Sequence, residues 1–215
     1  MDYEYPGTHV LRNKFNIMDE NGLSKVERMM SLSRSIELRE QGVTGQFDAE
    51  HLKSIHRYLF QDVYEWAGQF RDTYLARGNH AFVQPELIAN RLDTLNSYLK
   101  RNAYFHGANA KSLANGLAYV LVNLNNIHPF REGNGRTQRM FVSQLALDAG
   151  YELSFGHMTE VQMRNASVAG YRGDNRLMCL HMLDGLVKLE SSFGRDVSDL
   201  HVDANDGISA ERSFN

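Results

Sequence analysis

Residues 128–139 read HPFREGNGRTQR. The run brings together His128, Glu132, the Gly133-Asn134-Gly135 turn, Arg136 and Arg139. Each of these meets a different need of one reaction. An imidazole with a near-neutral pKa can take a proton from an attacking hydroxyl at cellular pH. Glycines tolerate positive φ and let backbone approach a ligand closely. The N–H groups of such a turn, continued into a helix start, form an anion nest. A carboxylate beside that nest would repel phosphate unless a cation lay between them. Mg²⁺ binds through one or two carboxylates plus substrate phosphates, so Glu132 is expected to hold Mg²⁺ against the α- and β-phosphates of a nucleoside triphosphate. Arg136 and Arg139 stand three apart and share a helix face. Their guanidinium forks match phosphate oxygens and are expected to grip the β- and γ-phosphates. The set suits in-line attack of a hydroxyl on phosphorus, driven by positioning and charge stabilisation. Nucleotidyl and phosphoryl transfer are both open at this point.

Taken singly, these pieces are ordinary. Asn-Gly turns precede many helices, and a lone histidine is more often a satisfied core residue. The combination is specific: His128, Phe130, Glu132, Gly133, Asn134, Gly135, Arg136 and Arg139 fill the pattern H-x-F-x-(D/E)-G-N-G-R-x-x-R. At average residue usage such a match arises by chance about once in 10^10 windows. The run resembles the signature of the Fic (filamentation induced by cAMP) family. Similarity extends over roughly residues 5–190, through Tyr5-Pro6-Gly7-Thr8, Leu11-Arg12-Asn13-Lys14, residues 56–68 and Asn165-Ala166-Ser167 with Gly173-Asp174.

The resemblance implies a protein adenylyltransferase that moves AMP from ATP, with Mg²⁺, to a Ser, Thr or Tyr hydroxyl of a target protein. His128 is then the base, and Gly133, Asn134, Gly135, Arg136 and Arg139 bind ATP. It also implies adenosine contacts in residues 163–174, with Asn165 and Tyr171 as candidates. A flap at His80, Ala81, Phe82 and Val83 would align the target segment over His128 by main-chain pairing. Transfer of another phosphate-linked group, or a non-catalytic nucleotide-binding regulator, are the competing readings. The intact Gly-Asn-Gly disfavours phosphoryl transfer, and the intact His128 disfavours a mere binder.

The elements that must position these residues read mostly as helices, because apolar residues recur at helical spacing. A first helix carries Leu23, Val26 and Met30 and ends near Gly42. Asp48 caps a second, whose stripe Leu52, Ile55, Leu59, Val63 and Trp66 runs to Gly68. Pro85 opens a third. A fourth spans about 108–126, and the motif helix runs from about Gly135 to a stop at Gly150. Two more cover about 159–169 and 174–190. The Ile127-His128-Pro129 junction places His128 at the start of a loop, since proline disfavours the helical region for the residue before it. Phe130 reads as a buried anchor for that loop. Residues 70–83, FRDTYLARGNHAFV, break the pattern and read as a short β-hairpin around Arg77-Gly78-Asn79. A free hairpin edge can pair with an extended peptide. The expected architecture is all-α: a Fic-type helical bundle with one short β-hairpin, spanning residues 1–193 with a core at about 50–190. A polar, flexible tail is expected over residues 194–215. The nine methionines read as gap-filling core.

Composition narrows the setting. An apolar share of 42% is ample for a core, and a net charge of −3 with no basic arm argues against direct nucleic-acid binding. Cys179 is the sole cysteine, which excludes an internal disulfide and fits a reducing cytoplasm. Met1-Asp2-Tyr3-Glu4 is unlike a signal peptide, and no apolar run reaches membrane-spanning length. A cytoplasmic protein is expected, with a secreted effector as the other setting. Fic enzymes are commonly restrained by a helix bearing (S/T)-x-x-x-E-(G/N), whose glutamate pairs with the second motif arginine, here Arg139. The nearest match, Ser33-Arg34-Ser35-Ile36-Glu37-Leu38, ends in leucine and lies in the first helix. The resemblance therefore implies a class I toxin whose small antitoxin supplies the glutamate in trans. Its possible targets are the ATPase subunits of type II topoisomerases, DNA gyrase (gyrase B) and topoisomerase IV (ParE).

Overall fold

A computed structural model describes residues 2–42 and 44–190. Among them the chain forms helices α1 (Glu20–Gln41), α2 (Ala49–Phe60), α3 (Ile88–Arg101), α4 (Ala110–Ile127), α5 (Asn134–Asp148), α6 (Glu160–Tyr171) and α7 (Arg176–Gly185). Two small antiparallel pairs accompany them: β1 (Ala76–Arg77) with β2 (His80–Ala81), and β3 (Tyr151–Leu153) with β4 (Leu186–Lys188). The expected helical bundle with a hairpin is what the chain adopts.

Side-chain caps start most of the long helices. Asp19, Asp48 and Asn109 each accept a first-turn N–H, and Thr159 with Gln162 forms a full capping box. The centre of the bundle is α4. Leu113, Ala114, Leu117, Ala118, Val120, Leu121 and Leu124 are all buried, while Lys111, Ser112, Asn115 and Tyr119 keep one narrow stripe of the helix exposed. An apolar face this wide needs cover from several neighbours, and α3, α5, α6 and α7 pack against it. Each leucine taken from water contributes about 1.5–3 kcal/mol. Gly170 lets α6 approach α4: a Cβ there would meet Val122 at 2.6 Å. Helix α1 packs on α2, and α2 on α5, so the N-terminal helix comes to rest beside the motif helix.

Two expected boundaries are corrected. The second helix was expected to reach Gly68 but ends at Phe60. Residues 61–67 continue as tight turns, with Tyr64 N–H on the Phe60 carbonyl (3.0 Å) and Ala67 N–H on that of Tyr64 (3.2 Å). Val63, Tyr64 and Trp66 stay buried, the last two stacked at 4.3 Å. Aromatic packing outweighs helix continuation here. The last helix was expected to run to residue 190. It stops at Gly185, and the following strand pairs with β3 in the register Tyr151↔Lys188, Glu152↔Val187, Leu153↔Leu186. The methionines divide: Met140, Met178 and Met182 are buried core, whereas Met18 and Met29 are exposed. The tail expected at 194–215 lies outside the described residues.

Candidate active site

His128 is the C-cap of α4. Its N–H closes the helix on the Leu124 carbonyl (2.9 Å), and its backbone turns left-handed at φ 50°, ψ 60°. Pro129 forbids continuation of the helix, so the imidazole leaves the helix axis at this point. The ring is stacked on Phe82 of the hairpin, centroids 3.9 Å apart and planes at 9°. Its Nδ1 is buried without a hydrogen-bond partner of ordinary geometry. Burial, and then the positive charge of Arg77, hold the imidazole down at about 4; the Asn125 carbonyl opposes this, and Arg71 adds to it. The ring is therefore neutral at pH 7, and as it stands it is a weaker base than the near-neutral imidazole the sequence leads one to expect.

The loop after His128 is built to hold the start of α5. Phe130 is buried and stacks on His56 at 3.8 Å and 14°. The Asn134 side chain bridges the loop on itself: Nδ2 donates to the Phe130 carbonyl (2.7 Å), and Oδ1 accepts the Phe130 N–H (2.9 Å). Gly133 sits at φ 80°, and a Cβ there would lie 2.4 Å from the Phe60 ring. Both facts demand glycine. Helix α5 carries no side-chain cap, so its first N–H groups keep their capacity for an anion. Gln138 Nε2 donates to the Leu124 carbonyl (3.1 Å) and ties α5 to the end of α4 beside His128.

Two cavities meet over this helix start. One, of about 520 Å³, is lined by His128, Gly135, Gln138, Arg139, Arg77 and, from α6, Met163, Ser167 and Tyr171. The other, of about 880 Å³, lies between α1 and α5 and is lined by Glu27, Ser31, Tyr64, Glu132, Arg136 and Arg139. Arg139, Phe155 and Glu160 line both. The two motif arginines are thus divided. Arg139 reaches both cavities, and no carboxylate lies within ion-pair distance of it among the described residues. Arg136 is engaged by α1: it donates to Ser31 Oγ (2.7 Å) and to Glu27, and its guanidinium lies 4.7 Å from the Phe60 ring centre. Tyr64 donates to the same Glu27 carboxylate, and burial together with that negative charge drives its phenol pKa upward.

Glu132 is half exposed; one oxygen accepts its neighbour's Gly133 N–H (2.8 Å) and stands 3.8 Å from Arg136. No group of three or more His, Cys, Asp or Glu that could hold a metal occurs among the described residues. A single carboxylate with an anion nest nearby fits Mg²⁺ bound jointly with phosphate oxygens, and no independent metal centre. The Glu132 backbone is fixed by His56, which shares a hydrogen bond with its carbonyl (3.0 Å) and accepts the Gly68 N–H (2.8 Å).

The hairpin borders the first cavity through Arg77. Its register is Ala76↔Ala81 and Arg77↔His80, with Gly78 at positive φ in the turn. His80 stacks on Tyr171 at 3.9 Å and bonds Asn126 (3.1 Å), while Tyr171 donates to the Asn125 carbonyl (3.4 Å). Tyr171 therefore joins the site. Asn165 is exposed and is not among the cavity's lining residues; Met163, Ser167 and Tyr171 of the same helix are. Sequence reasoning passed over Glu27, His56, Arg77 and Gln138. Glu27 did carry a signal: it stands one turn from Leu23 and Ser31 on the face of α1 that is buried.

Residues 46–146 match the Fic/DOC family. The chain is 41% identical over 171 residues to a probable protein adenylyltransferase of Sinorhizobium fredii (strain NGR234), covering 79% of this chain and 88% of that one. It is 34% identical over 191 residues to the probable protein adenylyltransferase Fic of Escherichia coli K12, covering 88% and 92%. Among solved structures it is similar to the BepC protein of Bartonella tribocorum, a VirB-translocated effector with bound AMPPNP. That match has a TM-score of 0.82 and 29% identity, and covers 87% of this chain and 97% of the other.

Proposed function

The chain belongs to the Fic/DOC family, and from that premise we propose how its own residues carry out AMP transfer from ATP to a protein hydroxyl. Its relatives at 34–41% identity are protein adenylyltransferases or probable ones, and this chain is a protein adenylyltransferase too. The observation that carries the residue assignment is that His128, Gly135 and Arg139 line one cavity. Neutral His128 takes the proton of the incoming Ser, Thr or Tyr hydroxyl. The hydroxyl oxygen bonds to the α-phosphorus, the bond to the β-phosphate oxygen breaks, and pyrophosphate leaves. Backbone N–H groups at the start of α5 face the charge that develops on the α-phosphate. Arg139 takes the terminal phosphates, and Tyr171 with α6 walls the nucleoside. Mg²⁺, held by Glu132 and phosphate oxygens, would neutralise charge on the triphosphate. The hairpin, with Phe82 against the base, presents the target segment.

We further propose that the enzyme is a toxin restrained by a separate antitoxin whose glutamate meets Arg139. The lack of a carboxylate within ion-pair distance of Arg139 among the described residues supports this, Glu160 acting on it only at longer range. So does Glu37, the nearest internal candidate, which is occupied by Arg34 (2.9 Å) and Tyr58 (3.2 Å). ATPase subunits of type II topoisomerases are the proposed targets. No described helix is long and apolar enough to cross a membrane.

Incubation with target-containing lysate and ATP labelled at the α- or the γ-phosphate tests the reaction. Label retained from the α position alone, and lost in His128→Ala and Arg139→Ala, is the expected result. Retention from the γ position would replace nucleotidyl by phosphoryl transfer. Purified topoisomerase subunits in the same assay test the target class.

A further inference from the structure

Arg71 is 2% exposed, and no carboxylate lies within ion-pair distance of it among the described residues. A buried charge is tolerated only when its hydrogen-bonding capacity is met. Four backbone carbonyls meet it here. Nε donates to His128 (2.8 Å), one terminal nitrogen to Thr73 (2.7 Å), and the other to both Val83 and Ile127 (3.2 Å to the latter). The Arg71 N–H adds a bond to the Pro129 carbonyl (2.9 Å), and Val83 N–H reaches Asn126 (3.3 Å). Thr73 and Val83 flank the hairpin, one on each side. Ile127 and His128 end α4, where the helix dipole is negative and a cation is favoured.

We propose that Arg71 is a positioning residue that fixes both feet of the hairpin to the backbone of His128, so that the docked target and the base keep one distance. The inference rests on His128 being the base. A guanidinium suits this task because its planar fork reaches several acceptors at fixed angles, whereas an ammonium is a point with no fork. Loss of the fork would let the hairpin and the imidazole drift independently. A misplacement of about 1 Å is enough to lower transfer on the order of 10²-fold. The nucleotide's other walls, α5 and α6, do not touch Arg71 through any of these bonds.

The test compares Arg71→Lys and Arg71→Met with wild type in the full chain. In Arg71→Lys we expect kcat for α-labelled AMP transfer to fall on the order of 10²-fold, with the KM for target raised and the ATP dissociation constant held within about twofold. Amide exchange should quicken together over residues 74–83 and 126–129 and stay unchanged in α7. Arg71→Met removes one of the two cations facing the His128 ring, the other being Arg77, and its His128 titration midpoint should rise. Three results would overturn the proposal: wild-type kcat in a folded Arg71→Lys protein, ATP affinity falling in step with kcat, or faster exchange in the hairpin without residues 126–129. If Arg71→Met does not fold, Arg71→Lys carries the test alone. Label transfer that survives His128→Ala would instead sink the assignment of the base, and the exchange result would still report on Arg71.

Discussion

The Phe82 ring lies flat on the His128 imidazole, 3.9 Å between centroids. The hairpin thereby shields the proposed base from water before any target arrives. Burial is the largest cause of the depressed His128 pKa, about 4 against an ordinary 6.5. In nucleotide-free protein, an NMR titration should place the His128 midpoint near that value. Phe82→Ala admits water, and its midpoint should move up toward 6.5. An unmoved midpoint would mean that Phe82 contributes nothing to the desolvation.

The division of the motif arginines gives a second expectation. Arg139 has no carboxylate within ion-pair distance among the described residues and feels Glu160 only at longer range, so Arg139→Ala should leave the melting temperature nearly unchanged. It should weaken ATP binding by roughly 10- to 100-fold while sparing AMP, because charge-assisted hydrogen bonds contribute about 1.5–3 kcal/mol. Arg136→Ala does the reverse to the fold. It leaves the Glu27 carboxylate, only 12% exposed, with Tyr64 as its remaining side-chain partner among the described residues. Breaking such a pair is destabilising by about 3 kcal/mol or more. Urea denaturation of both variants checks the split, and an Arg136→Ala protein as stable as wild type would refute the strut between α1 and α5.

His56 supplies a pH dependence of stability. Buried between Phe60 and Phe130, it is held neutral, with a folded-state pKa of about 3 set chiefly by desolvation and also by Arg136. Unfolded, it titrates at 6.5. The unfolded chain therefore takes up a proton as pH falls below 6.5, and the folded one does not until about 3. Stability is full above 6.5 and declines by about 1.4 kcal/mol per pH unit across that window. His128 adds to the slope down to about 4. In His56→Gln an amide can still donate to Glu132 and accept from Gly68 but cannot titrate. Its stability should depend less steeply on pH between 6.5 and 4, whatever its value at pH 7. Equal slopes in chemical denaturation would contradict the assignment.

The site's identity was legible in the sequence because its parts are local: base, carboxylate, turn and arginines fall in one loop and one helix turn. The start of α2 was legible because Asp48 announces it. What escaped depends on contacts distant in the chain. The end of α2 is decided by stacking of Tyr64 on Trp66, and β4 by pairing with β3. Glu27 shares the Leu23 face of α1, but its partner Arg136 lies more than a hundred residues away and only the laying of α1 against α5 joins them. Asn134 sits in the motif as if for a ligand, yet its side chain is consumed in bracing Phe130. Arg71 gave no signal at all, since its partners are main-chain carbonyls that no side-chain pattern encodes.

The two glycines of the motif should fail in different ways when replaced by alanine. At Gly133 the backbone is left-handed, and a Cβ would press on the Phe60 ring at 2.4 Å, the same ring that lies under Arg136. Strain of that kind and overpacking each destabilise by about 1–3 kcal/mol, so Gly133→Ala should lower the melting temperature before any question of activity arises. Gly135 lies inside α5 at an ordinary helical φ, exposed, with Arg139 Nη1 3.3 Å from the position of its missing Cβ. Alanine forms helix at least as well as glycine at this first-turn position, and the neighbour it meets is the flexible end of a side chain. Gly135→Ala should thus keep or raise stability while its methyl crowds the anion nest, so that ATP binding and AMP transfer fall in a well-folded protein. Thermal melts paired with nucleotide titration separate the two effects. A stable Gly135→Ala enzyme with wild-type ATP affinity would show that the phosphates do not come close to the start of α5.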